Sequence, residues 1–155
     1  MIEVGAHAPD FALPNQDGQE VSLSDLRGKT VVLAFFPSAF SPVCTDQMNL
    51  YQEVLAELEA RNVALFGVSV DNAFSQKAFR EHLGVTFPFL SDFHPKGEVS
   101  LAYGVYIEER GHTGRELVMI DPEGTVVWTH RPPSPLEIPG ANLIFDALEA
   151  TARAG

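Results

Sequence analysis

A chain of 155 residues has the size of one domain and is long enough to bury a core without disulfide or metal staples. Its composition, 45% hydrophobic and 20% charged, excludes collagen-like, coiled-coil and wholly disordered classes, and its single cysteine excludes an internal disulfide framework or a multi-cysteine metal site. A formal charge of -11 repels phosphate backbones and anionic lipid, so neither nucleic acid nor membrane is the expected partner.

Residues 1–7 lack the basic start and apolar stretch of a secretory signal, and the most apolar segment, residues 31–36, is far too short to span a bilayer. With a lone free thiol, this points to a reducing, cytoplasmic setting. Turn signals fall at residues 8–10, 15–18 and 27–29; between them residues 11–13 and 20–23 pair as a short hairpin. Residues 30–36 are a continuous apolar run, which predicts a strand buried on both faces. From Ser41 or Pro42 to about Ala60 the spacing predicts a helix, with Met48, Tyr51, Val54, Leu55 and Leu58 on one stripe. Residues 63–70 form a second strand. Residues 74–83 form a second helix, with Phe74, Ala78, Phe79 and Leu83 on one side and Gly84 as its stop. A short strand at residues 87–90 and a short helix at residues 96–103 follow. Residues 116–121 and 125–130 are two strands around the turn Asp121-Pro122-Glu123-Gly124. A loop at residues 131–140, with prolines at 132, 133, 135 and 139, leads into an amphipathic helix over residues 141–153.

No repeat or low-complexity tract interrupts this order, and residues 1–155 read as a single domain. The first strand–helix–strand unit requires parallel strands and a right-handed crossover, and the late hairpin makes the sheet mixed. The expected class is α/β: a sandwich with a central mixed β-sheet flanked by helices and an N-terminal β-hairpin. The thioredoxin-like arrangement satisfies that order.

In such sheets chemistry gathers beyond the carboxyl ends of strands, where loops lead into helix N-termini. The segment from Phe36 to Cys44 is such a loop and holds the only cysteine. Ser41 is a preferred N-cap and Pro42 suits the first helical position, so Cys44 falls third in the first turn, over unpaired backbone N–H groups. A thiolate there is stabilised by the helix dipole. Taken alone, a single cysteine is also a common small buried hydrophobe. Arg115, taken alone, reads first as a solvated strand-end residue paired with Glu116.

The surrounding residues separate these readings. Pro37, Ser41 and Cys44 spell Pro-x-x-x-Ser-x-x-Cys. With Gly5, Ala8-Pro9-Asp10-Phe11, the Leu26-Arg27-Gly28-Lys29 run and Phe35-Phe36-Pro37, the chain resembles the peroxiredoxin family over almost its whole length. Gln47 stands where that family has Glu or Gln, and Arg115, six residues before Asp121, resembles the family's second active-site anchor. The resemblance implies a thiol-dependent peroxidase with Cys44 as its peroxidatic thiol. The donors to the reacting oxygens would be the Ser41 hydroxyl, the Cys44 N–H and the Arg115 guanidinium. Pro37 would shield the sulfur, and Gln47 would hold the arginine. A thiol with an ordinary pKa of about 8.5 is a few per cent ionised at pH 7, so full ionisation gains only about 30-fold, or about 2 kcal/mol. The remaining acceleration must come from preorganised donors.

Many relatives resolve the oxidised cysteine with a second one; here position 49 is Asn49 and no other thiol exists. The resemblance is therefore to the one-cysteine kind, most like alkyl hydroperoxide reductase E. It implies a small hydroperoxide substrate, an external thiol or a thioredoxin- or glutaredoxin-like reductant, no cofactor and no metal, and a homodimer. Phe40, Phe74 and Phe93 are interface or core candidates, with core expected for Phe74. Trp128 is expected in the strand core or an interface. His112 reads as a solvated loop residue, although it is near enough to Arg115 in sequence to line the site. The five histidines lack metal-ligand spacing, and Gly28-Lys29-Thr30 precedes its strand and lacks the glycine of a phosphate loop. Two other functions use the same loop: a peroxide sensor relying on Cys44, and a flavodoxin-like electron carrier holding a phosphate at residues 38–41.

Overall fold

The computed structural model describes residues 1–134 and 136–154; Pro135 of the proline-rich loop lies outside them. Nine strands and five α-helices occur among the described residues. The N-terminal hairpin pairs β1 (Ala12–Pro14) with β2 (Glu20–Ser22). A five-stranded sheet follows, built from β3 (Thr30–Phe35), β4 (Val63–Ser69), β5 (Phe89–Ser91), β8 (Leu117–Ile120) and β9 (Val126–His130). Its order is β5-β4-β3-β8-β9. β3 runs parallel to β4 and β4 to β5, whereas β8 is antiparallel to both β3 and β9. The sheet is mixed, as the element order required.

Strand β3 shows why its run of apolar residues is continuous. Val32, Ala34 and Phe36 face one core together with Cys44, Met48 and Tyr51, while Val31, Leu33 and Phe35 face a second core with Phe11, Leu23 and Tyr103. Side chains alternate along a strand, so burial on both faces demands an apolar residue at every position. The helices are α1 (Pro42–Glu53), α2 (Leu55–Ala60), α3 (Ala73–Leu83), α4 (Glu98–Ala102) and α5 (Ala141–Ala154).

Four differences from the sequence reading have physical reasons. The helix expected from Ser41 or Pro42 to Ala60 is two helices. Its turn tightens at Val54, whose N–H bonds the Tyr51 carbonyl three residues back at 3.2 Å. In α3, Phe74 is 87% exposed rather than core. Asn72 caps this helix by accepting from the Ser75 N–H at 2.9 Å, and the packed face runs through Gln76 and Phe79 instead. Gln76 tolerates burial because its amide donates to Ser69 Oγ at 2.9 Å and to the Leu90 carbonyl at 2.8 Å. A hairpin of β6 (Tyr106–Ile107) and β7 (His112–Thr113) occupies a stretch read as loop. Two-residue strands are too short for periodicity to reveal. Finally, the strand expected at residues 116–121 is the shorter β8, which leaves Arg115 and Glu116 just before it.

Candidate active site

Two layers of the fold converge on Cys44. The first is the turn from β3 into α1. Phe36 continues the strand, donating its N–H to the Val68 carbonyl at 2.9 Å while its own carbonyl accepts from Thr113 Oγ1 at 2.9 Å. The chain then reverses at residues 38–41, where the Ser41 N–H bonds the Ser38 carbonyl at 3.3 Å and Phe40 takes a left-handed φ of 68°. A bulky residue in that region is strained, so surrounding contacts must hold it. Asp71 provides one, with Oδ2 accepting from the Ala39 N–H at 2.8 Å and from Ser69 Oγ at 2.7 Å. The Phe40 ring provides another, 5.2 Å from the Phe79 ring centre.

Ser41 is the N-cap residue and Pro42 opens the helix, as the sequence indicated. The Ser41 hydroxyl nevertheless does not cap: it is buried and has no hydrogen-bond partner among the described residues. An N-cap hydroxyl ordinarily accepts from the backbone N–H at the second or third helical position. The third position here is Cys44, so its N–H is left to meet another acceptor beside its own sulfur. The buried hydroxyl and the helix-terminal N–H thus lie at the same end of α1 as the thiol.

The second layer carries Arg115. Pairing of the Phe35 N–H with the Glu116 carbonyl at 3.0 Å brings the residues before β8 alongside the end of β3. Arg115 is 5% exposed, and its Nη1 lies 3.0 Å from Cys44 Sγ and 3.1 Å from Gln47 Oε1. Gln47 sits three residues after the cysteine on the same face of α1, and its Nε2 donates to Tyr51 Oη at 3.3 Å. Tyr51 in turn donates to the Pro139 carbonyl at 2.8 Å. Burial pushes the Tyr51 hydroxyl up to about 12, against opposing effects of Gln47 and Arg115.

Cys44 is fully buried and lies in the apolar core, as the reading of a small buried hydrophobe expected. The alternative ion pair of Arg115 with Glu116 is not what forms: the Glu116 carboxylate accepts from Arg131 Nε at 3.0 Å.

The sequence profile of the AhpC/TSA family matches residues 4–129. The chain belongs to the AhpC/TSA family. Among curated relatives of this AhpC/TSA protein, alkyl hydroperoxide reductase E of Mycobacterium tuberculosis and of Mycobacterium bovis are each 39% identical over 151 residues, spanning 97% of this chain and 98% of theirs. Among solved structures, peroxidoxin BcpB from Mycobacterium tuberculosis superposes with a TM-score of 0.84 at 28% identity, covering 99% of this chain and 98% of that one. Enterococcus faecalis AhpC superposes with a TM-score of 0.89 at 25% identity, covering 99% and 95%. The fold is thus that of the thioredoxin-like peroxiredoxins, and the family's chemistry is thiol-dependent peroxide reduction. The relatives give no support to a flavodoxin-like carrier.

In this AhpC/TSA fold, Cys44, Arg115 and Gln47 are in direct contact and Ser41 is a turn away, at the start of the same helix. Pro37 lies on the loop and lines a cleft of about 370 Å³ with Ser38, Asp71, Phe93, Lys96 and His112. His112 is therefore half-buried beside the loop rather than solvated, with Nδ1 2.7 Å from the Thr113 carbonyl. Trp128 is half-buried against the core that holds Cys44 and stacks on His130 at 6.0 Å. Sequence reasoning missed Tyr51 and Asp71 as partners of the site. Tyr51 appeared only as one apolar stripe position, although a buried tyrosine hydroxyl needs a partner and Gln47 stands four residues before it.

No helix among the described residues is long and apolar enough to cross a membrane. Among those residues, no group of three His, Cys, Asp or Glu side chains is arranged to hold a metal.

Proposed function

We propose that Cys44 is the peroxidatic thiol of a one-cysteine peroxiredoxin acting as one thioredoxin-like unit over residues 1–155. The contact of Arg115 Nη1 with Cys44 Sγ at 3.0 Å carries this reading, because it joins a permanent cation to the only thiol in the chain. The thiolate lone pair attacks the distal oxygen of hydrogen peroxide or an organic hydroperoxide. An S–O bond forms as the O–O bond breaks, and the departing oxygen takes up a proton to leave as water or alcohol. Cys44 is left as a sulfenic acid, oxidised by two electrons. Ser41 Oγ, the Cys44 N–H and Arg115 stabilise the charge growing on the oxygens, Pro37 keeps bulk water from the sulfur, and Gln47 holds Arg115.

With no second cysteine, an external thiol attacks the sulfenic sulfur and expels water, giving a mixed disulfide. A second thiol then frees Cys44 and leaves the reductant as a disulfide. The reductant is a small thiol or a thioredoxin- or glutaredoxin-like protein, and the reducing cytoplasm is the compartment that supplies it. The exposed rings of Phe40, Phe74 and Phe93 support a homodimer: Phe74 and Phe93 line an apolar cleft of about 420 Å³ with Pro14 and Ala73. Phe74→Asp shifting the protein to monomer in sedimentation measures that assembly; an unchanged mass rejects this face.

The function itself is tested by stopped-flow mixing with peroxide, using Trp128, the only tryptophan, as reporter. Oxidation far faster than that of free cysteine is expected. A second-order rate constant equal to that of free cysteine refutes the assignment.

A further inference from the structure

The hydrogen-bond chain behind Arg115 has a fixed polarity. At one end, a guanidinium can only donate; at the other, the Pro139 carbonyl can only accept. Between them stand two groups that can face either way, the Tyr51 hydroxyl and the Gln47 amide. Tyr51 has one proton and gives it to the Pro139 carbonyl at 2.8 Å. Its oxygen is left as an acceptor, and the Gln47 Nε2 donates to it at 3.3 Å. Gln47 then has its oxygen, not its NH2 group, turned toward Arg115 Nη1 at 3.1 Å. The same Nη1 touches Cys44 Sγ at 3.0 Å.

We propose that Tyr51 is a positioning residue that fixes which end of the Gln47 amide faces Arg115, and thereby aims the guanidinium at the sulfur. The proposal deepens the peroxidase reading and rests on it. All three members from Gln47 to Tyr51 to Pro139 are buried, so water does not compete for these bonds. Burial also keeps the Tyr51 proton in place across the working pH range, since its hydroxyl is pushed up to about 12. Without the phenol oxygen, the NH2 end of the Gln47 amide has no acceptor among the described residues. Its reversed orientation sets donor against donor at Arg115, and the guanidinium loses the Gln47 acceptor that bears on its aim.

The fold supplies a matched control. Tyr103, fully buried in the other core, donates to the Pro9 carbonyl at 2.7 Å. Tyr103→Phe removes the same kind of bond and leaves the Cys44 side untouched.

The test measures Cys44 reactivity in two ways, with peroxide and by alkylation with iodoacetamide, alongside thermal denaturation. Tyr51→Phe is expected to slow both reactions about tenfold, the scale of a lost hydrogen bond to a charged group. Tyr103→Phe is expected to lower the melting temperature similarly while leaving both rates unchanged. Gln47→Glu presents an oxygen whichever way it turns, so Y51F/Q47E is expected to return to within about threefold of the parent. In a Gln47→Leu background, Tyr51→Phe is expected to add no further loss, because its effect passes through Gln47. Parent-like rates in Y51F, no recovery in Y51F/Q47E, a full further loss in Y51F/Q47L, or equal slowing in Y103F each overturn the proposal. A parent protein that reacts with peroxide no faster than free cysteine, yet follows the alkylation pattern, overturns the peroxidase reading and leaves the Tyr51 assignment standing.

Discussion

The two faces of the central sheet are built from the same strand yet do different work. One face of β3 meets Cys44, Met48 and Tyr51; the other meets Phe11, Leu23 and Tyr103. Each core buries a tyrosine that donates to a proline carbonyl, Tyr51 to Pro139 and Tyr103 to Pro9. The difference is what lies on the acceptor side of the phenol oxygen. At Tyr51 that oxygen receives Gln47, and the chain continues to Arg115 and the sulfur. Burying a polar group stabilises one arrangement of a core; at Tyr51 the linked groups also reach the sulfur proposed as the peroxidatic thiol.

The comparison breaks if damage to the second face impairs reactivity as much as stability. Leu33→Ala, in the core with Tyr103, is expected to cost about 3 kcal/mol of unfolding free energy. The peroxide rate constant of the folded protein should be unchanged, as read by denaturant titration and stopped flow. On the first face the balance reverses. Arg115→Lys keeps the charge but loses the planar guanidinium whose Nη1 meets both Sγ and Gln47 Oε1, and peroxide reactivity should fall about 100-fold. Stability should change far less. Ser41→Ala sharpens the contrast, because it removes a buried hydroxyl that lacks a partner among the described residues. Reactivity should fall about tenfold while the melting temperature holds or rises, since no cap and no internal bond is lost.

The smallest effect concerns Asp92, whose carboxylate accepts from the Ser100 N–H at 2.7 Å, Ser100 Oγ at 2.6 Å and the Val99 N–H at 3.2 Å. Burial raises its pKa above the ordinary 3.8, these hydrogen bonds oppose that rise, and Glu98 adds to it. The native state therefore holds this proton more tightly than the unfolded chain. Its contribution to stability is full below the ordinary value and is lost as pH rises through the native midpoint. Denaturation of wild type and Asp92→Asn across that range should show the wild type losing ground as pH rises. A difference that is flat with pH refutes the assignment.

Much of this arrangement is legible in the residues. The run from Thr30 to Phe36 announces a strand buried on both sides, and Ser41-Pro42 announces the helix that lifts Cys44 into its first turn. These signals are local, and the physics behind them acts within a few residues. What escapes the sequence is long-range or too short to have a period. The hairpin β6–β7, whose Thr113 bonds the Phe36 carbonyl, has two residues per strand. The face of α3 is set by the Asn72 cap and the buried Gln76 amide, so of the four apolar residues read as one stripe Phe79 and Leu83 meet the core while Phe74 and Ala78 lie outside it. The Asp71 grip on Ala39 joins positions 32 apart, and no pattern in either segment announces it.

The Tyr51–Pro139 bond reaches across 88 positions of sequence. The segment just ahead of the last helix is thus a mounting bracket for the sulfur's surroundings. Anyone relocating the chain ends there by circular permutation, or splicing in a reporter, would be retuning an enzyme rather than editing a linker.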